Sequence, residues 1–441
     1  MDSALREEQA RRIAARLRRA GHAAYFAGGC ARDKLLGVPT KDIDIATDAV
    51  PRRVQELFER TVPVGAKFGV VVVVENGVPF EIATFRSDGE YFDGRHPSSV
   101  SFGSMEEDAR RRDFTINAMF VDPQSGEVID PVGGRVDLEA RIIRAVGNPA
   151  ARFAEDRLRM LRAVRFAARL GFEIEPGTMD AIREQAATIT DMSWERIGDE
   201  VVRILTEGHA KRGFDLLDAS GLLPYVLPEV DALHGVEQSP EYHPEGDVFV
   251  HTLLLLDGLT AASTETLALG ALLHDVGKPA CAEKRPDGRV TFYGHTEVGA
   301  DMAIAVCQRL RRSRDTWERV DYLVRNHLRH TNAPQMRTST LKRFLAEDGI
   351  DELLELVRLD ILASSGDLAT WEFCRRRRDE LGREALRPTP LLRGRDLLEL
   401  GLSPGPDYTR ILREVEDAQL DGALASREEA LEWVKQRERA G

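Results

Sequence analysis

Cysteine is scarce: Cys30, Cys281, Cys307 and Cys374 are the only four among 441 residues, far apart and without a C-x-x-C pair. That excludes a disulfide-stapled secreted scaffold, and the thiols read as reduced and mostly packed. No run approaches the roughly eighteen apolar residues of a membrane span. The start, Met1 to Arg19, reads as an amphipathic Arg/Glu helix without a secretory apolar core, so the expectation is a cytoplasmic protein. Positive charge is also in deficit, with 61 Lys and Arg against 74 Asp and Glu and a net charge of −13. A protein that grips nucleic acid with its whole surface is thereby excluded, and only local basic patches are allowed. Repeats and low-complexity segments are missing as well. What remains is a soluble globular composition, 42% hydrophobic and 31% charged, long enough for about two to four domains.

The most informative stretch is Ala24 to Asp48. Tyr25-Phe26-Ala27 predicts a short strand, Gly28-Gly29 a break, and Cys30 to Leu36 a helix that Gly37 and Pro39 end. A glycine turn feeding a helix N-terminus lets backbone N–H groups approach a triphosphate, with Arg32 supplying charge. In Asp42-Ile43-Asp44-Ile45, alternation puts both carboxylates on one strand face, roughly 6.5 to 7 Å apart along the backbone. That spacing suits a shared pair of divalent cations, and hard oxygen ligands favour Mg²⁺ or Mn²⁺ over zinc. A Gly-Gly turn or an Asp-x-Asp pair alone is commonplace. In this order, G-G-x-x-R then D-x-D, they resemble the signature of polymerase-beta-like nucleotidyltransferases.

Val70 to Val74, Asn76-Gly77 and Phe80 to Phe85 predict a β-hairpin. Alternation sets Glu81 on the face opposite Phe80 and Ile82, where it is either a solvent-facing side chain or, as the adjacency to the Asp-x-Asp strand favours, a third metal carboxylate. Arg86 to Gly103 reads as a loop of the kind that carries function beside an active site. In the following basic segment, Asp113 and Asn117 are spaced i, i+4 on one predicted helical face, suited to sugar hydroxyls, with Arg112 placed to meet phosphate.

Glu155 to Leu170 predicts one amphipathic helix. Leu158, Leu161, Val164 and Ala168 form its apolar stripe, with Asp156, Arg159, Arg162 and Arg165 beside it. Asp-to-Arg pairs holding a solvated face would account for this pattern. A chemical reading accounts for more. Adenine and cytosine present an amino donor next to a ring-nitrogen acceptor, whereas guanine and uracil present a carbonyl next to an N–H. An accepting Asp156 and a donating Arg159 complement the first pair and clash with the second, without any template.

Gly28-Gly29-x-x-Arg32, Asp42-x-Asp44, Arg111-Arg112-Asp113-x-x-x-Asn117-Ala118 and Glu155-Asp156-x-x-Arg159-x-x-Arg162 occur in that order. Together they resemble the class II tRNA nucleotidyltransferase and poly(A) polymerase family. Asp130 to Arg144 is similar to that family's hinge motif and Ser193 to Ile197 to its neck motif. The resemblance implies an α+β fold: a nucleotidyltransferase head with a small mixed sheet and helices (1–147), an all-α neck (148–235), an HD domain (236–380) and a helical tail (381–441). It implies addition of CMP, CMP and AMP to the tRNA 3′ end from CTP and ATP. Gly29 and Arg32 would hold the triphosphate; Asp42 and Asp44 would bind Mg²⁺ or Mn²⁺. Arg112, Asp113 and Asn117 would meet phosphate and ribose, and Asp156, Arg159, Arg162 and Arg165 would read the base and contact phosphate. Arg86 to Gly103 matches the loop the family uses to add the final A. No membrane and no obligatory protein partner is implied.

In the second half, His251, His274-Asp275, His295, His327 and Asp360 resemble the ligand pattern of HD-type phosphohydrolases. Imidazole with carboxylate suits a divalent transition metal or Mg²⁺. His251, His274, Asp275 and Asp360 are the first candidates, while His295 and His327 would add a second metal or bind phosphate. The run Arg375 to Arg378 reads as a solvated helix face. The tail after Gly401 would contact tRNA or pack on the HD domain. Three alternatives remain: an A-adding enzyme or poly(A) polymerase, an HD phosphohydrolase acting on RNA-end phosphates, and a non-catalytic RNA binder, for which paired strand carboxylates have no use.

Overall fold

The computed structural model describes residues 3–40, 42–63, 68–88, 100–239 and 246–440. The chain forms two compact units. The first comprises 1–231 with 259–262 and 309–312, and the second the remainder. Among the described residues no helix is long and apolar enough to cross a membrane.

The first unit opens with α1 (Ser3–Arg19), followed by β1 (Ala24–Ala27), α2 (Gly29–Leu35), β2 (Asp44–Thr47), α3 (Pro51–Leu57), β3 (Thr61–Val62), β4 (Val70–Glu75) and β5 (Val78–Thr84). The valine run of β4 pairs antiparallel with β5 across Asn76 and Gly77, whose φ values of 51° and 82° are the two left-handed positions a tight hairpin turn requires. β6 (Arg86–Asp88) and β7 (Val100–Phe102) pair with each other, and α4 (Met105–Arg110) leads to β8 (Phe120–Val121) and β9 (Val128–Ile129). The main sheet runs β3-β4-β5-β2-β1-β8-β9. It is mixed, because β2 and β5 are parallel while β1 is antiparallel to both β2 and β8. Ile43, Ile45, Phe80 and Ile82 are buried, so the polar residues that alternate with them lie on the other face.

α5 (Gly134–Ala140) and β10 (Ile142–Ile143) lead to Asn148, which caps α6 (Pro149–Glu155) by accepting from Ala151 N at 3.0 Å. Pro149 occupies the first helical position, where its missing N–H costs nothing. Then follow α7 (Leu158–Leu170), β11 (Glu173–Ile174), α8 (Pro176–Gln185) and α9 (Trp194–Thr206). The predicted stripe Leu158, Leu161, Val164 and Ala168 is buried. Gly171 ends α7 at φ 64°, a left-handed C-terminal position.

The second unit is helical apart from the β12 (Glu283–Lys284) and β13 (Val290–Thr291) hairpin. This hairpin, like β11 inside the region expected to be an all-α neck, escapes a reading of periodicity, because two-residue pairings leave no period to read. In the basic run, Arg377 pairs with Glu380 at 2.8 Å, and Arg378 Nη2 with Asp351 at 2.7 Å. The tail has its own small core of Leu392, Leu397, Ile411, Val415, Leu424 and Val434. It packs against helix Thr338–Ala346, where Ser339 N donates to Asp421 at 2.7 Å and Lys342 Nζ to the Leu420 carbonyl at 2.6 Å.

Candidate active site and metal centre

A cavity of about 930 Å³ in the first unit gathers Gly28, Gly29, Arg32, Asp42, Asp44, Arg112, Asp113, Asn117, Asp156, Arg159, Arg162 and Arg165. Sequence positions more than a hundred residues apart thus share one polar chamber. At its floor β1 turns into α2 through Gly28, whose φ is +68°. A Cβ there would stand 3.1 Å from Arg112 Nη1 and 3.8 Å from Asp44 Oδ2. Glycine is needed twice over, for the left-handed backbone and for the room.

The carboxylates sit as alternation predicts, with one correction. Asp44 opens β2, whereas Asp42 precedes the strand, its side chain 82% exposed and paired with Arg6 of α1 at 3.2 Å. Parallel pairing of Ile45 with Ile82 sets Asp44 beside Glu81 on the neighbouring strand. Burial first, then the charges of Glu81 and Asp42, push the Asp44 carboxyl up to about 6 against the pull of Arg112. A concentration of negative charge that raises one of its own members is short of cation. All-oxygen donors of this kind fit a divalent metal ion.

Asp113 and Asn117 meet without a helix. α4 ends at Arg110, and a bend carries the chain into a short 3-10 turn at Thr115–Asn117. Asn117 Nδ2 still donates to Asp113 at 3.2 Å, and Arg162 donates to the same carboxylate through Nε and Nη2 at 3.0 and 2.7 Å. Burial alone would raise Asp113, but Arg162 and Asn117 overcome it and hold the group at about 2. Arg112 is braced by Asp108 at 2.9 Å and by the Asn117 carbonyl at 3.1 Å.

The predicted base-reading helix is broken. Asp156 lies between α6 and α7 with extended backbone (φ −145°), where its Oδ1 accepts from Leu158 N at 3.1 Å. Asp156 therefore caps α7 instead of riding on it. Its Oδ2 accepts from Arg196 of α9 at 2.9 Å. Arg159 donates through Nη1 to Glu155 at 2.6 Å and to the Arg152 carbonyl at 3.0 Å, and through Nη2 to the Arg111 carbonyl at 3.1 Å. A guanidinium has five N–H groups, so Nε–H and one Nη2–H remain beyond these bonds.

Two further arginines of the cavity also have internal partners. Arg32, 2% exposed, donates to Asp33 at 2.8 and 2.6 Å and to Asn117 Oδ1 at 2.7 Å. Arg165, 4% exposed, donates to Glu200 at 2.7 Å and to Glu207 at 3.1 Å. Their forks hold the cavity wall together as well as lining it. Sequence reasoning did not find these supporting acids, nor Arg196. The signal for Arg196 was its place in Ser193 to Ile197. Most of the loop between Arg86 and Gly103 lies outside the described residues.

The second unit holds a separate cluster. His251, His274 and Asp360 form one triad and Asp275, His295 and His327 another, each with its donor atoms within 4.8 Å of one another. The set predicted first, with Asp275 alongside His251, is thus divided differently. Asp275 still bridges, its Oδ2 lying 3.1 Å from His274 Nε2 and its Oδ1 3.5 Å from His295 Nε2. His251 Nε2 is 3.3 Å from His274 Nε2 and 3.1 Å from Asp360. His274, His295 and His327 each turn Nδ1 to a backbone carbonyl, of Ala271, Phe292 and Val324, at 2.9, 2.7 and 2.7 Å. Nδ1–H donation leaves the Nε2 lone pairs facing inward, the tautomer a metal ligand needs. Burial and neighbouring His274 pull His327 down to about 4, keeping it neutral. Among the described residues, the buried Nε2 of His295 has no hydrogen-bond partner. This nitrogen and oxygen donor set fits one or two divalent metal ions.

Comparison with known proteins agrees with this division. The profile described as "Poly A polymerase head domain" matches residues 24–144, "Probable RNA and SrmB- binding site of polymerase A" matches 171–233, and "HD domain" matches 247–362. The CCA-adding enzyme of Geobacillus thermodenitrificans (strain NG80-2) is 47% identical over 220 residues, 50% of this chain and about half, 54%, of that protein. The CCA-adding enzyme of Streptococcus thermophilus (strain CNRZ 1066) is 33% identical over 420 residues, 95% of this chain and 94% of that protein. Among solved structures, the Bacillus stearothermophilus CCA-adding enzyme in complex with CTP superimposes with a TM-score of 0.72 at 29% identity, covering 98% of both chains. With a polymerase head, an HD domain and an end-to-end relative of that kind, the chain belongs to the CCA-adding enzyme family of class II nucleotidyltransferases.

Proposed function

We propose that the chain is a template-independent nucleotidyltransferase that builds CCA on the 3′ end of tRNA from CTP and ATP, releasing pyrophosphate. One observation carries this reading: a single cavity is lined by the Gly28-Gly29 turn, by Asp42 and Asp44, and by Asp156 and Arg159. Asp42, Asp44 and Glu81 would hold Mg²⁺ or Mn²⁺, which when bound lowers the pKa of the attacking hydroxyl and neutralises the leaving phosphates. The backbone at Gly29 receives the triphosphate, with Arg32 and Arg112 contributing positive charge. Asp113 and Asn117 orient the ribose. Asp156 accepts from the exocyclic amino group of cytosine or adenine, and Arg159 donates to the adjacent ring nitrogen. Guanine and uracil would set carbonyl against carboxylate and N–H against N–H. Arg162 and Arg165 hold the reading wall in register.

Four functional regions are proposed with boundaries at 147/148, 235/236 and 380/381, in a cytoplasmic protein. The test is incubation of tRNA lacking its 3′ end with labelled CTP. Incorporation of C residues followed by A supports the reading, whereas incorporation of A alone makes the chain an A-adding enzyme or a poly(A) polymerase.

A second activity is favoured by the inward-facing Nε2 atoms of His274, His295 and His327. We propose that His251, His274, Asp275, Asp360, His295 and His327 hold divalent metal for hydrolysis of phosphate at RNA ends. Hydrolysis of a nucleoside 2′,3′-cyclic phosphate in the presence of Ni²⁺ or Mn²⁺ tests it.

A further inference from the structure

We propose that Tyr293, with Arg285 behind it, is a nucleobase platform that gives the HD site its preference for nucleotides over simple phosphate esters. The inference rests on the reading of that site as a phosphohydrolase. The HD cavity of about 620 Å³ is lined by two unlike sets of side chains. Asp275, His295 and His327 are polar, whereas Val290, Phe292 and Tyr293, from β13 and the residues after it, are largely apolar. Polar groups for phosphate and apolar surface within one cavity fit a ligand with a charged end and a flat, weakly polar end, and so a nucleotide.

Tyr293 is 74% exposed, more than any other large hydrophobic or aromatic residue described. A single exposed aromatic residue is ordinarily unremarked. This one differs in how it is held. The Arg285 guanidinium lies 5.3 Å from its ring centre and is itself oriented by a bond from Nε to Thr291 at 3.4 Å. Cation and ring together make a stacking unit of the kind that binds bases regardless of sequence. The platform is also tied to the metal cluster. His295, two residues on, donates to the Phe292 carbonyl through both its backbone N at 3.2 Å and its Nδ1 at 2.7 Å. The segment 292–295 therefore places the ring at a fixed offset from the imidazole whose buried Nε2 has no hydrogen-bond partner among the described residues.

Two measurements on the full chain test this. The first is photolabelling with 8-azidoadenosine 2′,3′-cyclic monophosphate, the head being saturated with ATP, and mass-spectrometric location of the label. Label should fall on the peptide containing Tyr293, drop about tenfold in Tyr293→Ala and persist in Tyr293→Phe. The second is kinetic, with Mn²⁺ present. Tyr293→Ala should raise KM for adenosine 2′,3′-cyclic phosphate roughly five- to a hundredfold with kcat changed less than about twofold, leaving hydrolysis of base-free glycerol 1,2-cyclic phosphate unaltered. If the wild type hydrolyses neither ester, the phosphohydrolase reading fails, and the photolabel alone decides the platform. Label elsewhere, or label on that peptide unchanged in Tyr293→Ala, overturns the proposal.

Discussion

Arg196→Met isolates the base-reading geometry without touching any group proposed to meet the nucleotide. In the wild type, Asp156 has one oxygen committed to Leu158 N and the other to Arg196, so its carboxylate plane is fixed from both ends. Methionine keeps most of the side-chain volume and removes the second anchor. The pair is half-buried, with side-chain exposures of 24% and 19%, which places it between surface ion pairs worth at most about 1 kcal/mol and buried ones costing about 3 to 5 when broken. A stability loss of about 1 to 2 kcal/mol is expected, read as a lower urea midpoint at constant slope. The functional effect should be more specific. An Asp156 carboxylate free to rotate about its remaining bond accepts an N–H or avoids a carbonyl less selectively. The ratio of kcat/KM for CTP over UTP should therefore fall at least about tenfold, equivalent to roughly 1.4 kcal/mol of discrimination. Mn²⁺ binding at Asp42 and Asp44 should hold, and Arg196→Lys should recover part of the ratio. A variant that shows the stability loss yet keeps its CTP over UTP ratio would refute the reasoning, because Asp156 would then be a helix cap and nothing more.

Gly28→Ala should cost about 1 to 3 kcal/mol, because φ 68° with ψ −136° is a backbone conformation that side chains rarely adopt, and by pushing on Arg112, 3.1 Å from the new Cβ, should lower kcat/KM for nucleotide about tenfold or more; a nucleotide titration with a urea melt separates the two effects. Asp44→Asn should abolish incorporation of labelled CTP while leaving the urea midpoint equal to or above that of the wild type, since it removes a carboxyl already pushed up to about 6 by burial and by Glu81. Asp113 is held at about 2 against an ordinary 3.8, so its ionised form stabilises the fold by about 2 kcal/mol. That contribution is complete above about pH 4 and fades as pH falls through about 2, so the stability gap between wild type and Asp113→Asn should narrow over that window in acid unfolding curves. His274→Ala, which removes an Nε2 lying 3.1 Å from Asp275 and 3.3 Å from His251, should lower Ni²⁺ or Mn²⁺ bound per chain without altering CTP incorporation.

What the sequence made legible was whatever depends on spacing along a regular element. The hairpin follows from the Asn76-Gly77 turn between two strand runs, and the opposition of Glu81 to Phe80 and Ile82 and the stripe on α7 from periods of 2 and 3.6; all are present. What it hid were the places where a polar residue ends an element. Asp113 and Asp156 both fit a helical period, yet each lies past a helix end with its side chain or backbone bonded locally: Asp113 to Phe114 N at 2.8 Å, Asp156 to Leu158 N at 3.1 Å. Aspartate competes for backbone N–H groups in this way wherever a helix can begin, and the competition does not disturb the period. The acids that brace the arginines were hidden for another reason. Glu200 and Glu207 lie 35 and 42 residues from Arg165, a separation that no periodic pattern reports.

The two acidic centres of the chain differ in the physical way each copes with its charge. In the head, the carboxylate of Asp44 sits beside Glu81 and near Asp42, and the guanidinium groups nearby are directed mainly elsewhere: Arg112 to Asp108 and the Asn117 carbonyl, Arg32 to Asp33 and Asn117. The deficit is electrostatic, and a hard, strongly hydrated cation that keeps several waters can fill it without demanding a closed shell of protein ligands. In the HD cluster the acids already have cationic company. Lys278 Nζ lies 2.6 Å from Asp275, and its pull together with that of His274 holds this carboxyl well below the usual range despite burial. There the unmet demand is for a Lewis acid to take imidazole lone pairs held in a fixed orientation by their backbone carbonyls. Softer ions with nitrogen affinity answer that demand, and Mg²⁺ does so poorly. Donor chemistry therefore favours Mg²⁺ for the head and a nitrogen-seeking ion such as Ni²⁺ for the HD cluster, with Mn²⁺ suited to both, and exchanging Mg²⁺ for Ni²⁺ in the two assays tests that preference.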